Sequence, residues 1–334
     1  MPGWSTCTSA SASPIAARPA CDVQQTETMI QLTNLRNLDL QCGSEPDRPA
    51  YLSAASGLVA VGRYLYAVAD DELHLGVFER DKQRPGSLLR LFPGDLPDKH
   101  VKRKKEKPDL EALVQLPAFK NHPHGALLAL GSGSSKRRFR GALLRLNADG
   151  SIEGKAKIVD TSAWLEALAS HFDEINIEGA WVSGQHIHLL QRGNKGAGIN
   201  AVASSDLATL LDGLQDDHLP TTAWLRIQTF DLGHIQNVPL CFSDACALAS
   251  GEWLFTAVAE DTNNPRDDGA FVGAAIGLVS SDQQLRWVRP VSPSYKIEGI
   301  EIVGEGVDAE VLLVTDADDP LAPGVLLSAR VSLA

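Results

Sequence analysis

No apolar run in this sequence approaches the ~20 residues that a membrane-spanning helix needs, so no membrane partner is expected. A cationic excess is missing as well. The 30 Lys and Arg residues are outnumbered by 42 Asp and Glu, for a net charge of −12. That balance excludes general nucleic-acid binding, which needs a cationic footprint to attract phosphate. The first 28 residues lack the continuous apolar region of about 7–15 residues that marks a secretory signal. They are rich in Ser, Ala, Thr and Pro, and the two methionines are Met1 and Met29, with strand pattern starting right after the second. Residues 1–28 therefore read as a disordered extension or a mis-assigned start, residues 29–334 as a single domain, and the location as cytoplasmic. The five cysteines (Cys7, Cys21, Cys42, Cys241, Cys246) are odd in number and lack zinc-ribbon spacing. No Gly-x-Ser-x-Gly elbow occurs, and Gly131-Ser132-Gly133-Ser134 lacks the lysine spacing of a phosphate loop.

What the sequence has is a repeated sentence. Asn176-Ile177-Glu178-Gly179-Ala180-Trp181-Val182 places an acid and a small residue at the head of a short apolar strand. A glycine turn at Gly184 leads to a second apolar strand, His186–Leu190, which ends in Gln191-Arg192-Gly193-Asn194-Lys195. Copies begin at Ser56-Gly57, Glu111-Ala112, Asp244-Ala245 and Glu298-Gly299. The small residues Gly57, Ala112, Gly179, Ala245 and Gly299 are 55, 67, 66 and 54 apart, a period that signals a repeat architecture.

Each copy continues into further short strands separated by turn residues, the pattern of a four-stranded antiparallel meander. Helical spacing interrupts it at Ser162–Phe172 and near Leu207–Leu214. The fifth unit ends one strand short, while Ile30–Leu40 is a strand without a unit. Completing the last sheet with the N-terminal strand closes a ring and leaves no open edge. The predicted fold is an all-β, five-bladed β-propeller of four-stranded blades. A six-bladed ring, with the sixth blade in Ser204–Phe242, is the alternative.

In such a ring the start of each inner strand lies beside the end of the second, so Ser56, Glu111, Glu178, Asp244 and Glu298 should encircle one channel mouth. Around them should stand Asp70, Asp71, Ser132, Ser134, Arg192, Asn194, Lys195, Glu260, Asp261, Asp316, Asp318 and Asp319. Converging carboxylates must take up protons, pair with cations or bind a metal. Oxygen ligands without His or Cys favour Ca²⁺, with Mg²⁺ the alternative, on Glu111, Glu178, Asp244 and Glu298. Arg137, Arg138, Arg192, Lys195 and Arg266 suit a small anionic ligand. Glu178 and Glu298 are the candidate catalytic groups, as general base for a metal-assisted ester hydrolysis. The competing reading spends these acids on blade packing, in a non-catalytic propeller that binds a ligand or a protein. His186 and His188 share one strand face, and His122 and His124 flank Pro123; ordinary structural histidines explain both pairs. The run Lys102–Lys107 reads as a solvated loop, with contact to an anionic partner as the other reading. The sequence does not identify a protein partner.

Asp109-Leu110-Glu111-Ala112, Ile177-Glu178-Gly179 and Ile297-Glu298-Gly299 resemble the inner-strand signatures of the phytase-like and esterase-like β-propellers of bacteria. The resemblance extends over most of residues 45–334. It implies a propeller and, beyond that, Ca²⁺ and phosphoester chemistry.

Overall fold

The computed structural model describes residues 29–41, 49–81, 83–97, 99–193, 199–216, 219, 221, 224–261 and 269–334. The chain enters through β1 (Ile30–Gln31) and β2 (Thr33–Asn37). Blade one is β3 (Ala55–Val61), β4 (Tyr64–Ala69), β5 (His74–Glu79) and β6 (Ser87–Arg90). Helix α1 (His100–Glu106) leads to blade two, made of β7 (Leu110–Leu116), β8 (Ala126–Gly131), β9 (Arg140–Leu146) and β10 (Ile152–Asp160). Helix α2 (Ser162–Ala169) precedes blade three: β11 (Ile177–Ser183), β12 (His186–Gln191), β13 (Asn200–Asp206) and, after α3 (Leu207–Gln215), β14 (Arg226–Phe230). A two-residue strand, β15 (His234–Ile235), leads into blade four: β16 (Val238–Ala247), β17 (Trp253–Asp261), β18 (Ala270–Val279) and β19 (Leu285–Ser292). The last blade holds β20 (Ile297–Glu305), β21 (Asp308–Thr315) and β22 (Val325–Ser332), and β2 pairs antiparallel with β22 as its fourth strand.

The inner strands close the ring: β3 packs on β7, β7 on β11, β11 on β16, β16 on β20, and β20 on β3. Five blades are observed, and Ser204–Phe242 supplies α3, β14 and β15 rather than a sixth. The apolar core is correspondingly divided into five clusters, each lodged between two neighbouring blades. In blade two burial peaks at the second strand and falls outward. All six residues of β8 are buried because both faces of a middle strand meet another blade, whereas the outermost β10 is mostly exposed.

Two elements differ from expectation. The N-terminal strand splits at Leu32: β1 runs parallel to β19 on the outer edge of blade four, and β2 crosses to blade five. The basic run is not a loop but mostly α1, which lies on the mouth side because it joins the end of an outer strand to the start of the next inner one.

Candidate functional site

Each inner strand is broken by a β-bulge at its head. The pairing register with the second strand shifts between Ala55 and Gly57, Leu110 and Ala112, Ile177 and Gly179, Phe242 and Asp244, and Ile297 and Gly299. A bulge inserts one residue and re-aims its side chain. The inserted residues are Ser56, Glu111, Glu178, Ser243 and Glu298. The fourth unit is therefore displaced by one position from the sequence alignment, and Asp244 stands where the other units carry Gly or Ala.

That displacement decides what Asp244 does. Its carboxylate, 2% exposed, accepts a hydrogen bond from the Ala245 N–H (2.8 Å) and another from the Ile300 N–H (3.0 Å) of the next blade. Burial pushes its carboxyl well above the ordinary range, against the lowering effect of those two donors. Ser243 in the bulge donates to the Ile297 carbonyl, also across the blade boundary. Asp244 is thus a blade-packing carboxylate, and Glu111, Glu178 and Glu298 are the three acids the bulges present.

Around the three glutamates, acids and bases alternate. Arg192, at the end of β12, reaches Glu178 at 3.4 Å and Glu298 at 4.0 Å, and bonds Glu260. Lys296, just before β20, lies 2.9 Å from Glu260, 3.4 Å from Glu298 and 2.6 Å from Asp318. Lys107 bonds Asp70 and lies 3.0 Å from Asp109, whose other oxygen meets Arg138 at 2.6 Å. Asp109 holds a left-handed backbone (φ 57°), a conformation Asp tolerates better than most residues, and Ser132 donates to its side chain. Asn176 donates to Glu178.

These cations are outnumbered, and the protonation equilibria record it. Burial, then the charges of Glu178, Asp109 and Asp70, push Glu111 well above the carboxylate range against the pull of Lys107. Burial raises Glu178 to about 8, with Arg192 opposing and Glu298 adding to the rise. Glu298 is raised by burial against Lys296 and Arg192, and Asp316 by burial and then Asp70. Burial works to lower the pKa of Lys107, but Asp70, Asp109 and Glu111 outweigh it and raise it.

Asp70, Asp109 and Glu111 each place a carboxylate oxygen within 4.8 Å of the other two. Asp70, one of the rim residues expected from the sequence, completes this trio with the residues at the head of β7. Among the described residues Glu111 has no hydrogen-bonded partner. Arg137 is exposed on the 3-10 turn Lys136–Arg138, and Arg138 is half-buried beside it. Asn194, Lys195 and Arg266 lie outside the described residues. His188 faces away from this site. It stacks on Trp181 (4.9 Å between ring centres), its Nδ1 lies 2.8 Å from Ser204 Oγ, and burial, then His186, lowers its pKa to about 4. No helix among the described residues is long and apolar enough to cross a membrane.

The fold and the site together define a five-bladed β-propeller with an interlocked ring of charges at one mouth. The chain belongs to a family of unknown function, DUF6929, whose model matches residues 51–331. No curated protein matches the sequence. Solved structures with a similar shape include a glutaminyl cyclase from Myxococcus xanthus, at 10% identity and a TM-score of 0.48, covering 92% of this chain and 100% of that one. A luciferin-regenerating enzyme is similar at 12% identity and a TM-score of 0.42, covering 85% and 94%. The WD40 propeller domain of Doa1 is similar at 9% identity and a TM-score of 0.35, also covering 85% and 94%. The phytase-like name suggested by the inner-strand motifs finds no counterpart in the family match, whose function is unknown.

Proposed function

We propose that the mouth binds a divalent cation, Ca²⁺ or Mg²⁺, on Asp70, Asp109 and Glu111, and hydrolyses small phosphate or carboxylic esters beside it. The observation that carries this reading is the carboxylate trio within 4.8 Å, with no hydrogen-bond partner for the Glu111 side chain among the described residues. The donor set fits: hard carboxylate oxygens with no His or Cys among them suit these two ions. A bound cation would supply Lewis-acid polarisation of the ester and a more acidic water. The chain's own residues do the rest. Glu178, poised at about 8, exchanges a proton near neutral pH, where a general acid or base is most effective. Arg192 and Asn176 fix its carboxylate, and Glu298 is the second candidate for proton transfer. Exposed Arg137 and half-buried Arg138 offer charge to the ester's anionic group. The inner-strand resemblance to phytase-like propellers points to the same chemistry.

Calorimetric titration with Ca²⁺ and Mg²⁺, paired with turnover of p-nitrophenyl phosphate and p-nitrophenyl acetate, tests this. Asp109→Asn and Glu111→Gln should each weaken cation binding at least ten-fold, while Glu178→Gln keeps the cation and loses turnover. Absence of cation binding at millimolar concentration together with absence of turnover removes the proposal. One observation favours a non-catalytic ligand-binding propeller instead: Lys107, Arg192 and Lys296 already stand among the acids as internal counter-ions. On that reading the same cation variants change stability and nothing else.

A further inference from the structure

The acidic mouth has a basic shoulder that the hydrolytic reading does not use. Between Lys99 and Lys107 there are six Lys or Arg and one acid, Glu106, and Lys136–Arg140 adds four more. The two segments are joined: Arg138 Nη2 donates to the Lys104 carbonyl at 3.0 Å, and Arg140 Nη2 to the Glu106 carbonyl at 3.5 Å. Helix α1 sorts its cations by face. Arg103 and Lys107, four apart, turn inward, where Arg103 meets Asp71 and Lys107 meets Asp70 and Asp109. Lys102 and Lys105, with Lys99 at the helix start, are exposed and spaced three apart; Lys136 and Arg137 are exposed beside them. None of these five has an acidic partner among the described residues. Val101, on the face of Lys105, is 68% exposed. Arg140 shows the crowding: its pKa is lowered by burial and then by Arg137's charge.

We propose that this shoulder is a docking surface for an acidic peptide segment of a partner protein, one that carries an apolar side chain between its acids. Four of the five unpaired cations are lysines, point charges that hold an acidic chain without demanding the forked geometry of an arginine–phosphate pair. The surface stands on a helix and a turn rather than in a cavity, so it suits an extended chain and not an enclosed small molecule. Among the described residues it has no exposed aromatic platform for stacking single-stranded bases. The net charge of −12 repels a broad anionic surface such as a lipid bilayer or a duplex, while a short segment meets only the local positive potential. Val101 supplies the apolar contact that a phosphate backbone would not use.

The test is fluorescence anisotropy of a labelled peptide of six glutamates interrupted by two leucines, titrated with the whole protein at low salt and at about 0.3 M salt. The wild type should bind it, more weakly at the higher salt. The triple variant Lys102→Glu, Lys105→Glu, Arg137→Glu should lose at least ten-fold in affinity, and Val101→Ser about three-fold. Circular dichroism confirms folding, and the single Arg137→Ala variant gives a milder loss if the triple variant is unstable. Equal affinity in wild type and charge-reversed protein overturns the proposal. So does tighter binding of oligothymidylate or of phosphatidylserine vesicles than of the peptide.

Discussion

Replacing Glu178 by Gln should change how stability depends on pH, and the change is calculable from the site. Glu178 is 6% exposed, and burial holds its pKa at about 8 against an ordinary value of 4.5. Between those values the folded protein keeps a proton on this carboxyl that the unfolded chain releases. The folded state therefore binds more protons, and stability falls as pH rises, by about 1.4 kcal/mol per pH unit from this residue. The contribution is fully present below the unfolded pKa and lost as pH climbs through the folded one. Gln cannot titrate, so from pH 5.5 to 7.5 the variant should lose about 2.7 kcal/mol less than the wild type. Urea denaturation at several pH values, followed by the fluorescence of the buried Trp164, Trp181 and Trp253, reads this difference. Parallel pH profiles for the two proteins would refute the reasoning, because they would show that Glu178 is ionised in the folded state as in the unfolded one.

Two further outcomes follow from the same ring. Arg192→Met removes the guanidinium shared by Glu178, Glu260 and Glu298 and leaves buried charge uncompensated, at a cost of about 3–5 kcal/mol in urea denaturation at pH 7.5; a loss below about 1 kcal/mol would mean the glutamates do not depend on it. Gly179→Ala puts a methyl carbon 2.7 Å from Asp244 Oδ1 and 3.0 Å from its Cα, so it should destabilise by about 1–3 kcal/mol, and an unchanged thermal midpoint would contradict that contact.

The repeat was legible because five heads of similar chemistry recur at one period, and closure was legible because one strand was surplus at the start and one missing at the end. Ser162–Ala169 and Leu207–Gln215 announced themselves by helical spacing. The bulge in the fourth unit was not legible. Ser243 and Asp244 are adjacent, either can follow an apolar strand residue, and a one-residue insertion leaves no mark in the period. Ser56 in the first unit occupies the bulge position that Ser243 takes in the fourth, so the serine and not the acid is the equivalent residue. The trio of Asp70, Asp109 and Glu111 was hidden for a different reason. It joins the end of one blade's second strand to the head of the next blade, a neighbourhood that only the ring's curvature creates. Nor did charge alone show that Arg103 and Lys107 turn inward while Lys102 and Lys105 face solvent, since a run of cations has no periodicity until α1 forms.

The segment from Ile30 to Asn37 seals the edges of two blades at once, through β19 and β22. Its second partner, Val325–Ser332, leaves the ribosome about 290 residues later, which at 5–20 residues per second means a wait of roughly 15–60 s. Leu38 packs on blade one soon after synthesis, but Leu32, buried between blades four and five, has nothing permanent to lie against until those blades are made. The first strand of the described residues is thus among the last to find its place, and Leu32 must stay out of non-native contacts until its partners are made.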